Sequence, residues 1–138
     1  VHCQGWMTHF LPILLKKVYS SDPVFADAKV VLSLYNDIAP DEKFNPDTVS
    51  FLSTDGIRKS DVSVLSEPCG TTLAKLAIRW SDGIIEGAPD LDPEIAAAVA
   101  ARKVPVLGYR PVSAEDLSYA ADYNAFYDKI IAQNVKSR

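Results

Sequence analysis

Histidine, cysteine and glycine are scarce in this chain, and each scarcity removes a class of chemistry. His2 and His9 are the only histidines, and no HxxxH or CxxC spacing exists, so a histidine- or thiolate-based metal site is poorly supplied and no metal is expected. Two cysteines, Cys3 and Cys69, are too few for a disulfide scaffold; the count suits a reducing compartment, and cytoplasm is the expected location. They pair only if the fold brings them together. No glycine-rich phosphate loop is present, since Gly5 stands alone between Gln4 and Trp6, and no cofactor is expected. The apolar runs, Phe10 to Leu15 and Ile95 to Ala101 among them, are far short of the roughly 20 residues that cross a bilayer, so no membrane partner is expected. No Lys/Arg block exceeds Lys16-Lys17 and the formal net charge is −4, which argues against nucleic acid. Internal repeats are absent, and the only biased stretch is the alanine-rich run at 96–101, interrupted by Val99. There is no initiator Met, and the chain opens inside a strand pattern, so a fragment of a longer protein is expected.

What is present is a globular composition: 138 residues, 48% hydrophobic and 23% charged, enough for one core and one domain over 1–138. The first nineteen residues read as the end of a strand, a polar turn at Gln4-Gly5, and a helix. Met7, Leu11, Leu14, Leu15 and Val18 follow the helical spacing of one buried face. Pro12 is tolerated only in a first turn, which predicts a helix start near Thr8 or His9, or a kink. Ser20-Ser21-Asp22-Pro23 ends that helix. Lys29 to Leu34 is an apolar, β-branched run without alternation, the pattern of a strand covered on both faces. Its distance from the first strand suits a right-handed parallel crossover, which sets Gln4 and Gly5 beside Tyr35, Asn36 and Asp37 if the two strands are neighbours. Ligands in open α/β sheets bind at such carboxyl ends.

Further on, the pattern predicts a short helix from Asp47 to Thr54, capped by Asn45 or Asp47 with Val49 and Leu52 inward, and a brief extended segment over Asp61–Leu65. A helix follows over Thr71–Trp80, with a Thr as its cap and Leu73, Leu76, Ala77 and Trp80 on one face. Gly83–Gly87 is a third strand. Asp92-Pro93-Glu94 starts a helix that runs to about Arg102, Val104–Leu107 is a fourth strand, and Ser113 to Asp116 resembles a capping box opening a last helix to about Gln133. Leu117, Ala120, Asn124, Tyr127 and Ile131 line one face of it, with Tyr123, Phe126 and Ile130 beside it. The alternation implies an α/β fold: a three-layer, Rossmann-like parallel sheet of about four strands with helices on both faces.

Cys3 is a poor candidate for a thiol nucleophile, because neighbouring strand residues face opposite ways and a buried structural role fits it better. Asp37, Asp41 and Glu42 lie in a solvated loop, unlike the fixed carboxylate pair of a glycosidase. The tyrosines at 119, 123 and 127 form a helical stripe, read first as docking surface and second as a sugar-stacking face.

Three ordered segments carry a resemblance. His2-Cys3-Gln4-Gly5-Trp6-Met7-Thr8 with Leu11-Pro12-Ile13-Leu14-Leu15-Lys16 resembles a His-Ala-His-Asp-Trp-x-Thr turn and its Pro-containing helix. Lys29 through Asn36 resembles Lys-x-Val-x-Thr-Ile-His-Asn. Ala74-Lys75-Leu76-Ala77-Ile78 through Trp80-Ser81-Asp82-Gly83-Ile84, with Pro89, resembles Leu-Lys-Ala-Gly-Ile, Ala-Asp-x-Val and Ser-Pro. These belong to the amino-terminal catalytic domain of ADP-glucose-type bacterial glycogen synthases and plant starch synthases, here as a short one-domain relative. The resemblance implies glucosyl transfer from ADP-glucose to the non-reducing end of an α-1,4-glucan, with ADP-glucose and glucan as partners. It implies Gln4 as the catalytic position, in place of the family's His, and His2, Gly5, Trp6, Tyr35, Asn36 and Lys75 as substrate-binding. The departures are Gln4 for His, Gly5 for Asp, Tyr35 for His and Ala77 for Gly. Gln4 can hydrogen-bond a sugar hydroxyl but cannot exchange a proton. The donor-contacting Lys-x-Gly-Gly loop and the diphosphate-neutralising second domain are absent from these residues, so the activity of this chain alone is in question. Two further readings stay open: a non-catalytic domain that binds glucan or a partner, and a flavodoxin-like binding domain of another lineage.

Overall fold

Covering both faces of a short parallel sheet decides this architecture. The computed structural model describes residues 1–52 and 56–133, with 48, 49 and 51 described by backbone alone. Four strands, β1 (His2–Gln4), β2 (Val31–Leu34), β3 (Gly83–Glu86) and β4 (Val106–Leu107), pair in the order β1-β2-β3-β4, all parallel. His2 pairs with Val31 and Val31 with Gly83, which aligns the carboxyl ends of the strands. Right-handed crossovers in an unreversed order carry their helices to one face. That face bears Cys3, Leu32, Leu34 and Ile84, which pack with Leu15, Ala74, Ala77, Ile95 and Val99 from the connecting helices. The opposite face bears Val31 and Ile85, covered by Phe126 and Ile130 of the last helix, α5 (Ser118–Ala132). The expected Rossmann-like α/β sheet with helices on both faces is therefore what the chain forms.

Between β1 and β2 the chain makes a 3₁₀ turn (Trp6–Thr8), then α1 (Leu11–Ile13), which continues as a π-helix (Leu14–Val18). Pro12 falls in the first turn of α1, where its missing N–H costs little. The expected inward face is only partly right. Met7 is 81% exposed and Ile13 fully buried. The 3₁₀ turn and the wider π winding, in which the Tyr19 amide donates to the Leu14 carbonyl, rotate side chains away from a straight α-helical register.

Residues Asp47–Leu52 form α2, with the Asn45 carboxamide accepting from the Asp47 amide at 2.9 Å. The inward placing of Val49 and an end at Thr54 lie outside the described residues. Asp61–Leu65 is not extended but part of a kinked 3₁₀ segment, Lys59–Ser66. The Asp61 carboxylate accepts from the Arg58 amide at 2.9 Å, and Val62 and Leu65, three apart, bury together against Ile13, Leu52, Ile57 and Leu76. Helix α3 (Gly70–Arg79) starts one residue earlier than expected. Cys69 is its cap residue, and Thr72 inside the first turn accepts from the Cys69 amide at 2.8 Å.

Helix α4 (Pro93–Arg102) begins where its cap predicts, with Asp92 Oδ1 accepting from the Glu94 amide at 2.9 Å and the Ile95 amide at 3.3 Å. Asp92→Ala is expected to lower stability by about 1 kcal/mol, read as a shift of the urea midpoint; an unchanged midpoint would show the cap to be idle. Strand β4 shrinks to two residues because Pro105 donates nothing to the ladder, although its carbonyl accepts from the Ile84 amide at 3.0 Å. The capping box expected at Ser113 to Asp116 is a pair of turns instead: Ser113 Oγ accepts from the Glu115 amide and Asp116 Oδ1 from the Ser118 amide. Helix α5 starts after them. Its inward face is Tyr123, Phe126, Tyr127 and Ile130, while Leu117 and Ile131 are exposed. Cys3 is buried, Cys69 half-buried, and both are free thiols.

Candidate functional site

The parallel register brings the carboxyl ends of all four strands to one rim, and the residues there build two adjoining crevices. The first, about 460 Å³, has Gln4, Tyr35 and Gly87 on its sheet side and Tyr109, Val112, Tyr119 and Tyr123 facing them. The second, about 520 Å³, is lined by Tyr35, Asn36, Asp37, Pro40, Asp90 and Asp92 among others. Tyr35 lines both. The first crevice is neutral and aromatic among the described residues, while three carboxylates line the second.

Tyr35 Oη donates to Gln4 Oε1 at 3.4 Å, so the two residues face each other across the β1–β2 rim. Asn36 Nδ2 donates to the Asp90 carbonyl at 2.9 Å and to Asp90 Oδ1 at 3.3 Å, fastening the loop after β2 to the loop after β3. Gly5 turns the chain with φ +80°, a conformation that suits glycine, and a Cβ there would stand 2.9 Å from Asp37 Oδ2. The same carboxylate oxygen accepts from the Trp6 amide at 2.9 Å. The carboxylate of Asp37 thus fills the space that a side chain at position 5 would need, and it satisfies the turn's first exposed amide. The Trp6 ring leans on Phe44, with centroids 6.0 Å apart.

His2 sits behind this rim rather than on it. Its Nε2 is 2.7 Å from Ser33 Oγ and its Nδ1 2.7 Å from Tyr127 Oη, so both ring nitrogens are engaged within the protein. Burial, and then the nearby chain-terminal ammonium, hold its pKa below the ordinary histidine value. Tyr127 and Tyr123 are pushed above the ordinary tyrosine value, first by burial. Lys75, on α3, pairs with Glu94 in the first turn of α4. His9 is 2% exposed with an unpartnered Nδ1, and burial pushes its pKa down to about 4 against a smaller upward pull from Asp37. Among the described residues no group of three His, Cys, Asp or Glu side chains is placed to hold a metal ion.

The structure therefore brings Gln4, Tyr35 and Asn36 to the rim, uses Gly5 and Trp6 to shape its turn, and sets His2 and Lys75 in internal partnerships. Sequence reasoning passed over Gly87 and Tyr109. The crevice rule applied to the third and fourth strands, as to the first two, would have found both.

A family-level sequence profile described as "Starch synthase catalytic domain" matches residues 1–102. The chain belongs to that family. The starch synthase match takes in β1 to α4, with the Gln4 turn and the Tyr35 strand end, and stops before β4. Among curated relatives, a glycogen synthase of Clostridium perfringens is 26% identical over 97% of this chain and 28% of its own length. One of Photobacterium profundum is 25% identical over 69% of this chain and 18% of its own, and one of Chlorobium limicola 47% identical over 26% and 7%. The chain thus spans less than a third of each of these relatives. No solved structure matches it significantly. It is a glycosyltransferase domain of the glycogen and starch synthase kind with a four-stranded parallel sheet, and among its described residues no helix is long and apolar enough to cross a membrane.

Proposed function

We propose that this single α/β domain holds the sugar in glucosyl transfer from ADP-glucose to an α-1,4-glucan, with the reacting ring at the carboxyl ends of β1 and β2. The observation that carries the reading is Gln4 facing Tyr35 in the neutral crevice, at positions inside the matched stretch. Gln4 stands in the catalytic position. Its amide offers two donors and one acceptor to sugar hydroxyls but no titrating proton, so its part is to orient the ring rather than to exchange protons with it. Tyr35 and Asn36 complete the polar rim, and His2, Gly5 and Trp6 hold the turn in place. Lys75, paired with Glu94, lines neither crevice.

A second reading, glucan binding without transfer, is favoured by one feature. The diphosphate of a nucleotide sugar needs cationic or N–H partners as charge develops on departure, yet the crevice beside Tyr35 presents Asp37, Asp90 and Asp92.

Calorimetric titration with maltoheptaose and, separately, with ADP-glucose, followed by a glucose-transfer assay on the same sample, decides between them. Binding of both with transfer supports the first reading. Maltoheptaose binding alone supports the second, and binding of neither refutes both. Gln4→Ala is expected to weaken maltoheptaose binding about 3- to 10-fold, the effect of one or two lost hydrogen bonds.

A further inference from the structure

Three tyrosines of the first crevice, Tyr109, Tyr119 and Tyr123, come after the stretch that the family profile matches. They form one wall. Tyr119 and Tyr123, one helical turn apart on α5, meet edge to face with centroids 5.5 Å apart, and Tyr123 meets Tyr127 the same way at 6.4 Å. The wall is fastened at two points. Tyr127 Oη lies 2.7 Å from His2 Nδ1 on β1, and Arg110 Nε donates to Asp122 Oδ2 at 2.8 Å, tying the loop that carries Tyr109 and Val112 to α5. Arg110 Nη1 also donates to the carbonyls of Gly108 and Tyr109. The wall is thus fixed before any ligand arrives, which reduces the ordering cost of binding.

Its chemistry selects the ligand. Across about 460 Å³ the wall faces the Gln4 amide, the Tyr35 hydroxyl and Gly87, a volume ordinary for a small-ligand site. Aromatic faces suit the apolar C–H side of a sugar ring, and the tyrosine hydroxyls and the Gln4 amide suit its hydroxyl edge. No cation lines this crevice among the described residues, so a diphosphate placed here would lose its hydration without a charged partner.

We infer that Tyr109, Tyr119 and Tyr123 are the acceptor wall of the crevice, stacking an uncharged glucose ring of the α-glucan against Gln4 and Tyr35. The inference rests on the sugar-binding reading above and adds residues that the family match does not reach. It also divides the tyrosine stripe of α5 along its length: Tyr127 docks the helix, Tyr119 binds, and Tyr123 between them does both, packing on the sheet while lining the crevice.

The test is maltoheptaose titration of the full chain and its Tyr119→Ala, Tyr119→Phe and Tyr109→Ala variants, each checked for folding by circular dichroism. Tyr19→Ala, at an exposed tyrosine that packs on Phe25 away from the crevice, is the control. Tyr119→Ala is expected to weaken binding about tenfold and Tyr119→Phe less than about twofold, with Tyr19→Ala unchanged. Saturating maltoheptaose is expected to perturb the tyrosine absorption of the wild type and less so that of Tyr119→Ala. Wild-type affinity in both alanine variants, with binding lost in Tyr35→Ala, would overturn the wall and leave the sugar reading standing. A wild type that binds no maltoheptaose would overturn both.

Discussion

Gly87→Ala is expected to destabilise the domain by about 1–3 kcal/mol and to abolish maltoheptaose binding in the fraction that stays folded. A Cβ at this position would stand 2.4 Å from Tyr35 Cε1, 2.6 Å from Tyr35 Cδ1 and 2.7 Å from the Leu34 carbonyl oxygen. The backbone cannot retreat cheaply, because the Gly87 amide donates to that same carbonyl at 2.8 Å. The Tyr35 ring has to move, and it is the partition between the two crevices. Thermal or urea unfolding measures the stability, and calorimetry the binding. The double variant Gly87→Ala/Tyr35→Ala is expected to be more stable than the sum of the single effects, since the ring collision is gone. Wild-type stability and affinity in Gly87→Ala would show that the close approach constrains nothing.

Acidification between pH 6.5 and 4 is expected to remove roughly 3 kcal/mol of stability through His9 alone. The sign follows from where the proton binds. His9 in the folded chain stays neutral down to about 4, whereas in the unfolded chain it takes a proton near 6.5. Its contribution is complete above pH 6.5 and is lost as the pH falls through this window. His2, also held low by burial, acts in the same direction. Asp61, held low first by the Arg58 amide, and Asp116, held low first by the Ser118 amide, act below the ordinary carboxylate value of 3.8, outside this window. His9→Leu removes the titrating group and its unpartnered Nδ1 together. The urea midpoint of the wild type is expected to drop steeply from pH 7 to pH 4.5, and that of His9→Leu distinctly less. Parallel pH profiles for the two proteins would rule His9 out as the cause.

The legible parts of the chain were those where several local signals agree. Asp92, Pro93 and Glu94 name a helix start in three independent ways, and α4 begins there. The unalternated Val31–Leu34 run reads as a strand buried on both faces, and all four residues are buried. Where one signal stood alone, it misled. Five residues from Asp61 to Leu65 fit a period of two as well as a period of three, and the Asp61 carboxylate bonding the Arg58 amide tips them to a 3₁₀ turn. The Ser113 to Asp116 pattern offers caps, but its side chains close turns on their own neighbours.

The site divides in the same way. The juxtaposition of Gln4 and Gly5 with Tyr35 and Asp37 was readable on the condition that β1 and β2 are neighbours, and the parallel pairing of the two strands meets it. Local pattern suffices for the α/β alternation, the N-terminal cap of α4, the two-sided burial of β2 and the rim residues of the first two strands. Long-range packing is what sets Tyr109, Tyr119 and Tyr123 with Gln4 around one crevice, holds His2 between Ser33 and Tyr127, and places Asp37 in the space beside Gly5. Periodicity reports which residues of a segment share a face. Which face meets which rim depends on how β4 and α5 close over a sheet whose earlier helices already occupy the other side, and that is settled by burial of the whole core at once.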